Sequence, residues 1–366
     1  MAEVAPKTNL LGMSRAGMER FFASLGEKPF RARQLLQWIY QRGITDFASM
    51  TDLSRALRER LAAIAEIRPP EILSEQTSAD GTIKWLLTLP GGSAVETVFI
   101  PEPERATLCI SSQVGCMLNC TFCSTAMQGF SRNLSAAEII GQVWLADRRT
   151  GDRRISNVVF MGMGEPLLNL DQVGPTLELL RDDLAYGLAA RRVTVSTSGV
   201  VPGMDALHEF PPIALAVSLH APEDEVRSRL VPLNRKYPID ELLAACKRYL
   251  KRCDSKQSIT FEYTMIDGVN DAPEFARKLR RLLADIPSKI NLIPFNPFPG
   301  TPFRCSSVET MLQFQNVLRA GGLIATVRRT RGDDIDAACG QLVGKVLSDS
   351  QRRRVVQQQL AHQALA

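Results

Sequence analysis

Apolar positions recur along the chain in two rhythms. Between residues 14 and 66 they fall three and four apart: Ala32, Leu35, Leu36, Ile39 and Tyr40 share one helical face, and Leu53, Leu57, Leu61 and Ile64 another. Ser14 is placed to cap a first helix that ends near Gly26, Gly43 stops the second, and Thr51 and Asp52 are cap candidates for the third. Beyond Pro69 and Pro70 the rhythm changes. Runs 83–89 and 94–100, joined by Pro90-Gly91-Gly92, predict a β-hairpin. From Thr107 onward, strand candidates at 106–111, 157–161, 193–197, 213–219, 259–266, 290–295 and 324–328 alternate with helical stretches. Ser135-Ala-Ala-Glu138 and Ser306-Ser-Val-Glu309 each read as a capping box, the first opening a helix that carries Ile139, Ile140, Val143 and Trp144. This alternation predicts a parallel α/β sheet, open or closed as a barrel, with ligands gathered at the C-terminal ends of its strands. The expected organisation is a helical unit at 1–68, a hairpin extension at 69–104, a catalytic core at 105–345 and a tail at 346–366.

Composition narrows the class. The 366 residues leave room for one large domain and a small one, and 45% hydrophobic with 23% charged residues is ordinary for a globular chain. No apolar run approaches membrane-spanning length, and MAEVAPKTNLLGM lacks a signal-peptide core, so a cytoplasmic protein without membrane attachment is expected. Eight cysteines in that compartment point to metal-binding or catalytic thiols rather than a disulfide framework. A net charge of +5 leans towards an anionic partner. Arg31, Arg33, Arg42, Arg55, Arg58 and Arg60 on the helical unit suit RNA docking, although a merely solvated face has the same look.

The sharpest chemical signal is Cys116-Met-Leu-Asn-Cys120-Thr-Phe-Cys123, directly after a strand candidate. Structural zinc wants four ligands, and no fourth Cys or His lies close by. Iron–sulfur clusters take four cysteines as a rule; three would leave one iron of a cubane open to something other than protein. A zinc loop completed from a distance, or three core thiols, are the alternatives. Further motifs end successive strands: Met161-Gly-Met-Gly164-Glu165-Pro166, Val195-Ser196-Thr197-Ser198-Gly199, Val217-Ser218-Leu219-His220 and Pro294-Phe-Asn296-Pro. Singly each is an ordinary turn; together they predict a cofactor rim. Cys339 sits among small residues in Arg331-Gly-Asp-Asp-Ile-Asp-Ala-Ala-Cys339-Gly, as a nucleophile approached by a bulky partner would. By pattern alone Cys109 and Cys246 read as core thiols and Glu96 as a surface residue of its strand. Cys253 and Cys305 carry no reading beyond ordinary thiols.

The CxxxCxxC loop, "VVFMGMGEPLLN", "STSG", "SLHAP", "NLIPFNP", "RGDDIDAACGQL" and the N-terminal "FRARQLLQWIYQRG" together resemble the RlmN/Cfr family of radical S-adenosylmethionine (SAM) RNA methyltransferases. The resemblance implies a partial (βα)6 barrel preceded by a small helical domain and a β-hairpin extension. It implies one [4Fe-4S] cluster on Cys116, Cys120 and Cys123, and two SAM molecules per turnover. Gly164, Glu165, Ser196, Ser218, His220 and Asn296 match SAM-binding positions. Cys339 matches the thiol that one SAM methylates, and a 5′-deoxyadenosyl radical from a second takes hydrogen from the S-methyl group. The carbon radical then adds to C2 of adenine in 23S rRNA or tRNA. Cys109 matches the thiol that resolves the adduct, leaving a disulfide, and Glu96 matches a proton acceptor, against its pattern-based reading. The expected partners are those RNAs and an electron donor of the flavodoxin and flavodoxin reductase kind, acting on a monomer. Arg148, Arg149, Arg153, Arg154, Arg227, Arg229, Arg328, Arg329 and Arg331 are candidates for gripping phosphates. The sister activity on adenine C8 and a non-catalytic zinc RNA-binding protein are the competing readings.

Overall fold

Two short parallel strands, β1 (Thr8–Asn9) and β2 (Ala65–Glu66), tie together the ends of the N-terminal helical unit. Between them run α1 (Arg15–Ser24), α2 (Phe30–Leu36), continued by a π-helical turn at Gln37–Gln41, and α3 (Arg55–Ile64). Ser14 caps α1 as its position predicts, its hydroxyl accepting from Gly17 N. Ala32, Leu35, Leu36, Ile39 and Tyr40 are all buried. The start of α3 differs from the expectation: Ser54, not Thr51 or Asp52, is the cap, accepting from Leu57 N at 3.3 Å. Asp52 instead accepts from the Trp38 indole. Ile64 closes α3 half in solvent, because the chain leaves the helix there for β2.

The computed structural model describes residues 7–151, 153–253 and 257–344, so the tail expected at 346–366 lies outside the described residues. After the helical unit come β3 (Glu71–Thr77), β4 (Ile83–Thr88) and β5 (Ala94–Pro101), an antiparallel meander. The hairpin pattern foretold β4 and β5. It missed β3, an edge strand whose residues are mostly exposed and so carry no apolar alternation. Next come β6 (Ala106–Cys109), the short antiparallel pair β7 (Gln113–Gly115) and β8 (Phe130–Asn133) with α4 (Ser124–Met127) between them, and α5 (Ala136–Arg149).

The strand–helix alternation then runs β9 (Asn157–Phe160), α6 (Leu170–Arg181), β10 (Val193–Thr197), α7 (Val201–Ala206) and β11 (Ala214–Ser218). It continues through α8 (Asp224–Leu230), α9 (Ile239–Lys251), β12 (Ile259–Met265), α10 (Pro273–Leu282), β13 (Ser288–Pro294), α11 (Val308–Ala320) and β14 (Ile324–Val327). Strands β6 and β9 to β14 are parallel neighbours, and β5, β4 and β3 extend the sheet antiparallel from β6. Because β14 ends the sheet rather than pairing with β6, the barrel is partial, with a seventh short parallel strand beyond the six. Side chains alternate across it. Tyr263 of β12 points outward against Phe314, ring centroids 5.2 Å apart, which turns Thr260, Glu262 and Thr264 inward.

The Ser135–Glu138 capping box forms in full, with Glu138 Oε2 accepting from Ser135 N at 2.8 Å. The second box does not. Ser307 caps α11, while the Ser306 hydroxyl donates to Asp271 instead. In the middle of the π turn, Ile39 O accepts from Trp144 Nε1 (2.8 Å) and Arg148 Nη2 (3.2 Å), fastening the helical unit to α5. Among the described residues no helix is long and apolar enough to cross a membrane.

Candidate active site

Gly115 ends β7 at φ +74°, and a Cβ there would lie 1.8 Å from Gly129 O, so the chain can enter the next loop only as glycine. That loop brings Cys116, Cys120 and Cys123 to one cavity at the C-terminal ends of the strands. Burial pushes the Cys116 thiol up to about 12 and raises Cys120 and Cys123 as well, each further disfavoured as thiolate by a neighbouring thiol. Such thiols ionise only when a metal displaces their protons. Three cysteines on one cavity are one ligand short of a closed structural zinc site, whereas on a cubane they leave one iron open, so the donor set fits a cluster.

Across the cavity stand Gly162, Gly164, Glu165, Ser196, Ser198, Ser218, His220 and Thr264. Gly164 has φ +98°, and a Cβ on it would fall 2.5 Å from Gln113 Cβ, so its backbone is exposed to whatever the cavity holds. Glu165 is buried; Oε2 accepts from Ser198 N (2.8 Å) and Oε1 from Leu167 N (3.2 Å). Desolvation pushes its carboxyl up to about 7, with those bonds pulling the other way. His220, at φ +60°, accepts from Thr264 N through Nδ1 at 3.0 Å, which leaves the proton of the neutral ring on Nε2. Burial, then Arg227, bring its pKa down to about 3.

Arg227, a phosphate candidate by sequence, is instead buried beneath this rim. It donates to Leu219 O, Ser198 O, Ser218 O and Asn234 Oδ1, holding the ends of β10 and β11 together. Arg148 likewise lies over the Trp144 ring, and Arg149 pairs with Glu75 at 3.0 Å. Arg153, Arg154, Arg229 and Arg329 are exposed.

Cys339 is exposed and lines both this cavity and a larger, neighbouring one inside the barrel. Its segment is strapped over the cluster loop: Ser124 N donates to Gly340 O (2.7 Å), Thr125 Oγ1 to Leu342 O (2.8 Å) and Asn296 Nδ2 to Cys339 O (3.1 Å). Asn296, matched above to SAM binding, thus spends one donor on the Cys339 backbone and lines the larger cavity. Glu96 is buried, contrary to its strand pattern. Its Oε2 accepts from Val343 N (2.7 Å) and its Oε1 meets Lys84 Nζ at 3.1 Å, so it clasps the same strap. Desolvation outweighs both partners and raises its pKa. Cys109 is buried on β6, pushed up to about 12 by burial and then by the nearby Cys339. Arg328 sits within electrostatic reach of both thiols and holds its charge more firmly for it. Ser198, named only as part of its strand-end motif, has its hydroxyl 4.0 Å from Cys120 Sγ, and sequence patterns did not single out Glu262, a lone carboxylate in a β-branched strand.

Comparison with known proteins agrees with this geometry. Residues 8–67 match the model of the ribosomal RNA large subunit methyltransferase N-terminal domain, and residues 110–279 that of the radical SAM superfamily. The chain is 58% identical over 98% of its length to the dual-specificity RNA methyltransferase RlmN of Marinobacter nauticus, covering 99% of that protein. It is 58% identical over 96% of its length to RlmN of Alkalilimnicola ehrlichii, covering 98% of it. A crystal structure of a radical SAM methyltransferase from Sphaerobacter thermophilus is 45% identical and superposes with a TM-score of 0.86, over 92% of this chain and 99% of that one. The cofactors of such an enzyme are a [4Fe-4S] cluster and SAM. With the thiol-lined cavity, the strapped Cys339 and relatives matched end to end, the chain belongs to the RlmN family of radical SAM RNA methyltransferases.

Proposed function

We propose that the protein methylates C2 of adenine in 23S rRNA and in tRNA, with Cys339 as methyl carrier and Cys109 as resolving thiol. The observation that carries this reading is the position of Cys339: one exposed thiol shared by the cluster-side cavity and the larger cavity, with Cys109 in electrostatic contact behind it. Cys116, Cys120 and Cys123 would hold the cluster, and Gly164, Glu165, Ser196, Ser218, His220 and Asn296 would hold SAM. Together cluster and SAM supply a one-electron cleavage that yields a carbon-centred oxidant.

The remaining work falls to side chains. C2 of adenine is an electron-poor amidine carbon that will not attack a sulfonium methyl, so the methyl group must first rest on a sulfur nucleophile. Cys339 is the accessible candidate, with the Arg328 guanidinium within electrostatic reach of it. Once that sulfur is joined through carbon to the base, the Cys109 sulfur attacks it. The S–C bond breaks, the S–S bond forms, and the carbon keeps the electron pair and is protonated to methyl. The flavodoxin-type partner would supply the electron that the cluster passes to SAM, and an external two-electron reductant must return the disulfide to two thiols before the next turnover. Glu96 is assigned the proton from the base; freeing its carboxylate requires the strap at Val343 to shift.

The helical unit at 1–68 is assigned to RNA docking on its exposed arginines, the hairpin region at 69–104 to supporting the strap, and 105–345 to the chemistry, in a monomer working among cytoplasmic RNAs. Nucleoside analysis of methylated RNA tests the assignment. 2-Methyladenosine is the expected product; 8-methyladenosine alone would move the protein to the sister activity.

A further inference from the structure

Glu262 lies midway along β12 and faces the barrel interior, 3% exposed. One of its oxygens is held: Oε1 accepts from Asn291 Nδ2 at 3.0 Å, and Asn291 Oδ1 in turn accepts from Thr326 Oγ1 at 2.9 Å. The other, Oε2, is buried without a hydrogen-bond partner among the described residues. An orphaned buried oxygen costs about 1–3 kcal/mol, more if charged, so one kept in an oriented side chain points to a ligand that completes it. Arg328 does not fill the role, for it acts on Glu262 only through space.

Place and charge say which ligand. Glu262, Arg328 and Cys339 are shared by the walls of both cavities, whereas the three cluster-loop thiols line only one. The larger cavity is edged by exposed Arg191, Lys289 and Arg329, an environment for a polyanion rather than for a sulfonium cation. On the function proposed above, the target base must reach the Cys339 sulfur, which puts it at this seam.

We propose that Glu262 binds the target adenine of the RNA, its Oε2 hydroxyl donating to a ring nitrogen while Oε1 accepts from the exocyclic amine. A protonated carboxyl offers a donor and an acceptor side by side, the complement of adenine's amino group and adjacent ring nitrogen. Burial favours that protonated form, since it raises the Glu262 pKa. Asn291 settles which oxygen is the hydroxyl, because its N–H occupies Oε1. The inference deepens the proposed reaction and rests on it only for the identity of the base.

The test compares holoenzyme with Glu262→Gln and Glu262→Leu on a tRNA anticodon stem-loop carrying either adenine or purine, which lacks the amino group, at the target position. Glutamine keeps a donor and an acceptor in the same shape and should stay within a few-fold of wild type. Leucine should lower kcat/KM for the adenine RNA by about tenfold or more while still accepting a methyl group on Cys339 from SAM alone. Purine should weaken RNA binding to wild type by about tenfold and to Glu262→Leu hardly at all. Unchanged RNA kinetics in Glu262→Leu, equal purine penalties in both proteins, or a Gln variant as poor as Leu would overturn the proposal. Loss of Cys339 methylation along with RNA methylation would assign Oε2 to SAM and overturn it too. If wild type itself never methylates Cys339, the proposed reaction fails, yet the adenine–purine binding comparison still decides the role of Glu262.

Discussion

At the scale of single residues, two cysteines differ in their surroundings. Cys339 is open to both cavities and Cys109 is buried, and the proposed roles of carrier and resolver rest on that difference in access. Cys339→Ala should abolish methyl transfer to RNA, and Cys109→Ala should accumulate protein covalently joined to RNA, seen as a nuclease-sensitive shift on a denaturing gel. Normal turnover by Cys109→Ala would remove its resolving role. His220 gives a separate test of the rim. Its pKa is about 3 when folded against 6.5 for a free imidazole, so the unfolded chain binds the extra proton between these values and stability falls as pH drops below 6.5. By pH 5 the loss due to this residue is about 2 kcal/mol. His220→Asn, which tolerates the left-handed backbone, should show a smaller drop in denaturant midpoint from pH 7 to pH 5 than wild type; an equal drop would mean that His220 is not buried neutral. That Cys116, Cys120 and Cys123 would share one cavity was legible in the sequence, because three thiols within eight residues are held close by one short loop. Glu96 was legible only through family resemblance: alternation assigns it to a strand but cannot show that a C-terminal strap will cover its face of the sheet.

Among the elements, the strap from Ala337 to Gly344 depends most on partners distant in sequence. Val343 N reaches Glu96, Glu96 meets Lys84, and Lys84 Nζ donates to Asp336 O at 3.2 Å, at the start of the same segment. Lys84→Met would leave the buried carboxylate without its counter-ion, a change that costs about 3–5 kcal/mol in comparable pairs. It should speed hydrogen exchange at Val343 and the reaction of Cys339 with thiol reagents, while leaving the α5 amides protected. Unchanged exchange at Val343 would show that the ion pair does not hold the strap. Strong local signals made the other elements readable: the Ser135 box, the apolar parallel strands and the amphipathic face of α2. Where signals were weak or shared, the reading slipped, by two or three positions at the cap of α3 and by one at that of α11, because neighbouring Ser, Thr and Asp residues offer several equivalent caps.

For the molecule as a whole, a partial barrel explains how one thiol can serve two ligands. Leaving β14 unpaired with β6 keeps the interior open, so that on the proposed reaction a large RNA substrate would reach the seam from one side while SAM would stay under the cluster loop. Strand alternation announced the parallel sheet, but not whether it would close, since closure depends on twist and stagger that no single strand records. On the proposed reaction, methyl passes through the Cys339 sulfur that both cavities share. The direct measurement is mass spectrometry of the Cys339 peptide after anaerobic incubation with methyl-labelled SAM, then a chase with RNA and unlabelled SAM. Label should appear first on Cys339 and afterwards in the RNA adenine. Labelled RNA formed while Cys339 never carries the methyl group would contradict the account.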